Sequence, residues 1–249
     1  MLIKTRTLKG YKLLTLDEEI GRVKEFYFDD LNWKIRYLLA DTGKWLPGRK
    51  VLISPESLID VRNNTRDIAV KLTKKQIEES PSLDTDKPVS RQFEEAFYEH
   101  YSWPIYWEEP YLAESQPYML SNGIDFDLKA TNEGTKPLDA HLRSTHNMSG
   151  YAVRAKDGEI GRVDDFIIDD LEWAVRYLIV DLHDQKKSEK VLISPKWIDS
   201  ISWDESQVFV NLLIEDVKSS PKYIDDDTMT RDYENGLHRH YNRSGYWED

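Results

Sequence analysis

The chain repeats itself. Ile20-Gly21-Arg22-Val23 returns as Ile160-Gly161-Arg162-Val163, Asp29-Asp30-Leu31 with Trp33 returns as Asp169-Asp170-Leu171 with Trp173, and Lys50-Val51-Leu52-Ile53-Ser54-Pro55 recurs unchanged at 190–195. Each pair is 140 positions apart, and 19 of the 36 residues from Ile20 to Pro55 match their counterparts. Identity at that level in one register requires descent from one unit, so the chain reads as two copies of a small fold. The register extends to Gly10-Tyr11, Ser80-Pro81, His100-Tyr101 and Tyr106-Trp107, whose counterparts are Gly150-Tyr151, Ser220-Pro221, His240-Tyr241 and Tyr246-Trp247. The unit therefore includes its tail. Residues 109–140 hold Pro110, Pro117, Gly123, Gly134 and Pro137 with little periodicity, which marks a linker. The expected division is copy one at 1–108, the linker at 109–140 and copy two at 141–249.

Within one unit, Trp33, Ile35, Tyr37 and Leu39 alternate with their neighbours, the period of a strand with one face in a core. Copy two repeats this with Trp173, Val175, Tyr177 and Ile179. Phe26 and Phe28 share a parity that Val23 does not, so a β-bulge is expected near Lys24 and Glu25. Asp29 to Asn32 supply a hairpin turn, because Asp and Asn side chains bond the local backbone. Further strands are expected over 50–53, 58–62 and 67–72. Six short strands per unit point to a mainly β fold, a small antiparallel barrel or sandwich. Thr73 to Gln76 forms a capping box that predicts a short helix over 74–79, a box that copy two lacks. A second helix is expected after Ser90, and after Thr230, with Phe93, Ala96, Phe97 and His100 on one face and Tyr233, Gly236, Leu237 and His240 on its counterpart.

Charge excludes some functions. A formal net charge of -12 disfavours nucleic acid and anionic membranes, both of which are bound through Lys and Arg. With no cysteine there are no disulfides, thiolate metal sites or cysteine nucleophiles, and a cytoplasmic setting is expected. No apolar run approaches the roughly 20 residues needed to span a bilayer, and the opening six residues lack the apolar stretch of a signal peptide.

Candidate chemistry is sparse. His100 and His240 are the only equivalent histidines, and an imidazole bonded to a backbone carbonyl or a carboxylate is the reading preferred over a metal ligand. The pairs Asp29-Asp30 and Asp169-Asp170, and the run Asp225-Asp226-Asp227, lack the spacing of a calcium loop and read as solvated turns. Asp41 and Asp181 read as strand ends. Gly21 and Gly161 stand outside any phosphate-binding motif and read as positions of special backbone geometry or close packing. No nucleophile motif is present. By contrast the chain has 8 Trp and 14 Tyr, and Trp103, Tyr106, Trp107, Tyr111, Tyr118, Tyr246 and Trp247 gather in tail and linker. Such rings either pack on the chain's own sheets or anchor a partner.

These pieces, in their order and spacing in both copies, resemble the PRC-barrel family, which includes the cytoplasmic domain of the photosynthetic reaction centre H subunit and a domain of the ribosome maturation factor RimM. The resemblance covers about 70 residues per copy. It implies two small antiparallel barrels in tandem, used as docking modules without catalysis or cofactor. Partners are then other proteins or a second copy of the chain, with no nucleic acid and no membrane insertion. Trp103, Tyr106, Trp107, Tyr246 and Trp247 are the candidate contact or tail-docking residues, and Gly21, Trp33, Tyr37, Gly161, Trp173 and Tyr177 the repeated structural ones. A small-ligand or metal-binding regulator at the interface of the copies is the alternative. A reaction-centre role would rest on fold analogy alone.

Overall fold

The structure is a computed structural model that describes residues 1–43, 45–46, 49, 51–81, 91–103, 142–182, 189–224 and 229–248, the side chains of 91–93 excepted. Tyr106, Trp107, the linker, Ser90 and Asp225-Asp226-Asp227 lie outside the described residues.

Copy one runs β1 (Leu2–Lys4), α1 (Thr5–Leu8), β2 (Lys12–Leu14), β3 (Glu19–Asp29), β4 (Ile35–Asp41), β5 (Val51–Ile53), β6 (Leu58–Arg62), β7 (Asp67–Val70), α2 (Lys74–Glu78) and α3 (Arg91–Tyr101). Copy two repeats the order as β8 (Leu142–Ser144), α4 (Thr145–Met148), β9 (Ala152–Ala155), β10 (Gly158–Asp169), β11 (Ala174–Leu182), β12 (Glu189–Ile193), β13 (Ile198–Ser202), β14 (Gln207–Val210), α5 (Ile214–Ser219) and α6 (Arg231–His240). The long strands bulge where the side-chain parity breaks, between Val23 and Glu25 and between Val163 and Asp165. Thr73 caps α2 through the reciprocal box with Gln76, whereas α5 begins at Leu213 with no side-chain cap.

The strands form two sheets of seven, ordered β5-β4-β3-β2-β7-β6 and β12-β11-β10-β9-β14-β13, each with one further strand. Among the described residues neither path closes on itself. Nor is either wholly antiparallel, because β2 runs parallel to β7 and β9 to β14. The seventh strand is exchanged between copies. β8 pairs with β3, Phe28 opposite Arg143, while β1 pairs with β10, Ile3 opposite Ile168. Each copy's first strand thus completes the other's sheet, an isologous arrangement in which every contact has a counterpart. Apolar side chains of both copies share one core, and the rings of Phe28 and Phe166 meet across it at 5.9 Å.

Two expectations are corrected. Trp33 and Trp173 do not lie on the strands but in the turns before them, at φ of 55° and 51°. The strands that follow are buried on both faces. In copy one Leu38 and Ala40 face the shared core, while Tyr37 and Leu39 pack with Phe97 and Tyr98 of α3. The helix stripe is also rotated: α3 buries Glu94, Phe97 and Tyr98, and α6 buries Glu234, Leu237 and His238, while Ala96, His100 and His240 are exposed.

Candidate functional site at the interface of the copies

The β3–β4 and β10–β11 turns bring the copies together. Each Asp that closes a turn is held locally: Asp29 accepts the Leu31 N–H at 2.9 Å and an Arg36 N–H at 3.0 Å, and Asp169 accepts the Leu171 N–H at 3.0 Å and an Arg176 N–H at 3.3 Å. Burial alone would raise both carboxyls. The turn N–H and the guanidinium outweigh it and keep both below the usual carboxylate range. With the turns so fixed, the Ile35 N–H donates to the Trp173 carbonyl and the Val175 N–H to the Trp33 carbonyl.

Two cavities flank this junction. The first, about 500 Å³, lies between the Pro55–Ser57 turn and β6 of copy one and the Asp170–Trp173 turn of copy two. The second, about 410 Å³, is its counterpart, between the Leu31–Lys34 turn of copy one and the Ser194–Lys196 segment of copy two. Both volumes fall in the range of small-ligand or peptide pockets. At the tips of the turns stand Leu31, 58% exposed, and Leu171, 84% exposed, with Ile59 at 61% beside the latter.

The tail of copy two reaches this region. Tyr246 lines the second cavity, with the Arg176 guanidinium 4.0 Å over its ring. Trp247 packs against His238 at 5.0 Å and under Arg231 at 4.1 Å. Behind them, the buried Tyr177 hydroxyl lies 3.0 Å from both Glu234 Oε1 and His238 Nε2, while His238 Nδ1 lies 2.8 Å from the Ser244 carbonyl. Burial pushes the Tyr177 hydroxyl strongly up, helped by the Glu234 charge, and pushes the His238 imidazole down. In copy one Tyr37 donates to Glu94 at 3.2 Å, and Tyr98 occupies the place of His238. Trp103 stacks on Tyr101 at 4.6 Å and meets Phe97 at 5.9 Å.

The structure thus brings Trp33, Trp173 and Tyr246 to the junction and keeps Tyr37, Tyr177 and Trp103 under the helices. Gly21 and Gly161 sit at the far ends of β3 and β10, where a Cβ would lie 2.2 Å from the Asp41 carbonyl oxygen and 2.0 Å from that of Asp181. His100 and His240 bond the carbonyls of Gln76 and Asp216, at 3.1 and 2.7 Å. Sequence reasoning missed Glu94 and Glu234. Their signal was a pair of equivalent acids one helical turn before Phe97/Tyr98 and Leu237/His238, opposite inward-facing tyrosines. Among the described residues no group of three or more His, Asp and Glu side chains is arranged to hold a metal ion, and no helix is long and apolar enough to cross a membrane.

Residues 2–77, copy one into α2, match the family model of the PRC-barrel domain. A search of the curated proteins finds no match to the chain.

Proposed function

We propose that this chain is a noncatalytic interaction module: two PRC-type units locked into a reciprocal pair whose turn-side face receives a partner protein or a second copy of the chain. The observation that carries the reading is the pair Leu31 and Leu171, exposed at equivalent tips beside equivalent cavities. A lone exposed leucine is ordinary, but two at one repeated position, rimmed by charged residues, fit the anchors of an interface. The buried Tyr177, Glu234 and His238 support the same reading, since a triad shut beneath α6 and the tail serves packing better than turnover.

In this reading the two sheets act as one rigid platform, because exchange of β1 and β8 prevents either copy from moving alone. The test is cross-linking of the full chain in its native cell extract, with the links located by mass spectrometry. Links from Lys34 and Lys196 to one partner, or to a second copy, are expected, and they should vanish in Leu31→Ser/Leu171→Ser while the melting temperature stays unchanged. Links confined to other faces, or none, would sink the reading.

A further inference from the structure

The two cavities lie beside equivalent turns but carry opposite charge. Lys34 and Arg36 line the first against Glu56, Asp60, Asp170 and Glu172. The second is lined by Lys34, Arg176 and Lys196 against Glu172 alone. Part of the difference is a substitution, since Glu56 of copy one is Lys196 in copy two; the rest is lining, since Asp60 and Asp170 border only the first cavity. The pairing of the copies does not require this divergence. Lys196 and Glu56 are both exposed, at the same place in matching turns, and neither belongs to the shared core.

We infer that the second cavity binds an acidic peptide segment of a partner protein, one that sets a carboxylate beside an apolar side chain. This rests on the interaction-module reading and names the chemistry of its partner. Arg176 is built for the task. Its guanidinium lies 4.0 Å over the Tyr246 ring and is tied by Nη2 to Glu172 at 2.7 Å and Asp169 at 3.3 Å, while its Nε, buried, finds no hydrogen-bond partner among the described residues. A planar cation fixed in advance loses little freedom on meeting a carboxylate. Leu31 and Trp33 supply an apolar wall beside the cations. The net charge of -12 does not forbid an acidic ligand, because charges farther than about 8 Å are largely screened at physiological ionic strength and the local cations decide.

The experiment is fluorescence anisotropy with the full chain and three labelled peptides that alternate Leu with Glu, Gln or Lys. The Glu peptide should bind, the Gln peptide bind more weakly and the Lys peptide least. Lys196→Glu should weaken the Glu peptide by about tenfold or more, as reversing a charge at a desolvated contact does. Glu56→Lys/Asp60→Ser removes two of the four carboxylates that line the first cavity and adds a cation, and should let the first cavity take up a second, weaker Glu peptide. Both variants alter exposed residues, and unchanged circular dichroism and melting temperature confirm the fold. Preference for the Lys peptide, binding indifferent to Lys196→Glu, or no binding at all would overturn the assignment. If the cross-links of the preceding section persist in that event, only the acidic-peptide chemistry falls; if they are absent too, the module reading falls with it.

Discussion

Trp33 and Trp173, counterparts in the two copies, each accept a backbone hydrogen bond from the strand that follows the other, from Val175 at 2.8 Å and from Ile35 at 2.7 Å. Both tryptophans adopt positive φ, a conformation that costs a bulky residue about 1–3 kcal/mol and persists only where the surroundings enforce it. What enforces it is burial: Trp33 stacks on Phe28 at 5.1 Å, and Trp173 is 8% exposed. Glycine would release the strain but lose the ring, worth about 3–5 kcal/mol in a core. Trp173→Gly should therefore destabilise by about 2 kcal/mol net. The more exposed Trp33→Gly should cost less. Urea denaturation of both variants checks the order, and equal costs would contradict it.

Gly21 and Gly161 test the fit between strands. A methyl group at either would strike the backbone carbonyl of Asp41 or Asp181, an obstacle that cannot rotate away. Gly161→Ala should cost about 1–3 kcal/mol, the usual penalty for overpacking. Gly21→Ala should cost more, because φ there is 144° and a side chain adds strain. Gly150→Ala meets no atom within 4 Å, but its φ of 92° still disfavours a side chain, so it separates strain from collision.

Tyr177→Phe removes the hydroxyl that faces both Glu234 and His238, leaving buried polar atoms short of a partner. The expected cost is about 1–3 kcal/mol. In Tyr37→Phe the hydroxyl lost is the one that donates to Glu94 at 3.2 Å, where Tyr98 stands in place of His238, so the smaller effect is expected in copy one. Thermal unfolding of the two single variants provides the comparison, and a larger loss from Tyr37→Phe would refute it.

His238 makes copy two sensitive to acid. Its folded pKa lies below the usual 6.5 because burial disfavours the imidazolium, only partly offset by the Ser244 carbonyl and the charges of Glu234 and Glu248; Lys196 adds to the lowering. Arg231 also faces the cluster, through its ion pair with Glu234. The unfolded chain then takes up a proton before the folded one does. The stabilising contribution is fully present above about pH 6.5 and is lost as pH falls through the lower folded value. His238→Tyr, which copies Tyr98, should flatten the fall in stability that sets in below about pH 6.5. An unchanged slope would place the acid sensitivity elsewhere.

Much of the fold was legible because the signals were local. The change of parity between Val23 and Phe26 places the bulge, and Thr73 with Gln76 places a helix start. Strand exchange was not legible. Pairing β1 with β3 or with β10 presents nearly the same residues to it, since the copies are alike, so no pattern distinguishes the two. The helix faces were misjudged by one position because Glu94 and Glu234 read as solvent-facing acids, when each answers a buried tyrosine hydroxyl. The opposite charge of the cavities was present in Glu56 and Lys196 but carried no meaning until the fold set both beside the junction.

The tail offers the sharpest test of how packing and recognition share residues. Trp247 lies against His238 and Arg231, and Tyr246 braces Arg176 at the wall of the second cavity. Burying aromatic surface contributes at about 25 cal/mol per Å², offset in part by the entropy of ordering the tail. Truncation after Asn242 should therefore lower the melting temperature, by about 2–4 °C for each net kcal/mol lost, since the two copies share one core and unfold as a unit of that size. It should also expose apolar surface to a dye such as ANS. Gly245→Ala probes the same docking without deletion, because a Cβ there would lie 2.3 Å from the Trp247 ring and force it to shift. The substitution should reproduce part of the loss in melting temperature and weaken the acidic peptide through the loosened Arg176. Unchanged stability in both variants, with binding of the acidic peptide abolished, would make the tail an interaction arm instead of a structural cover.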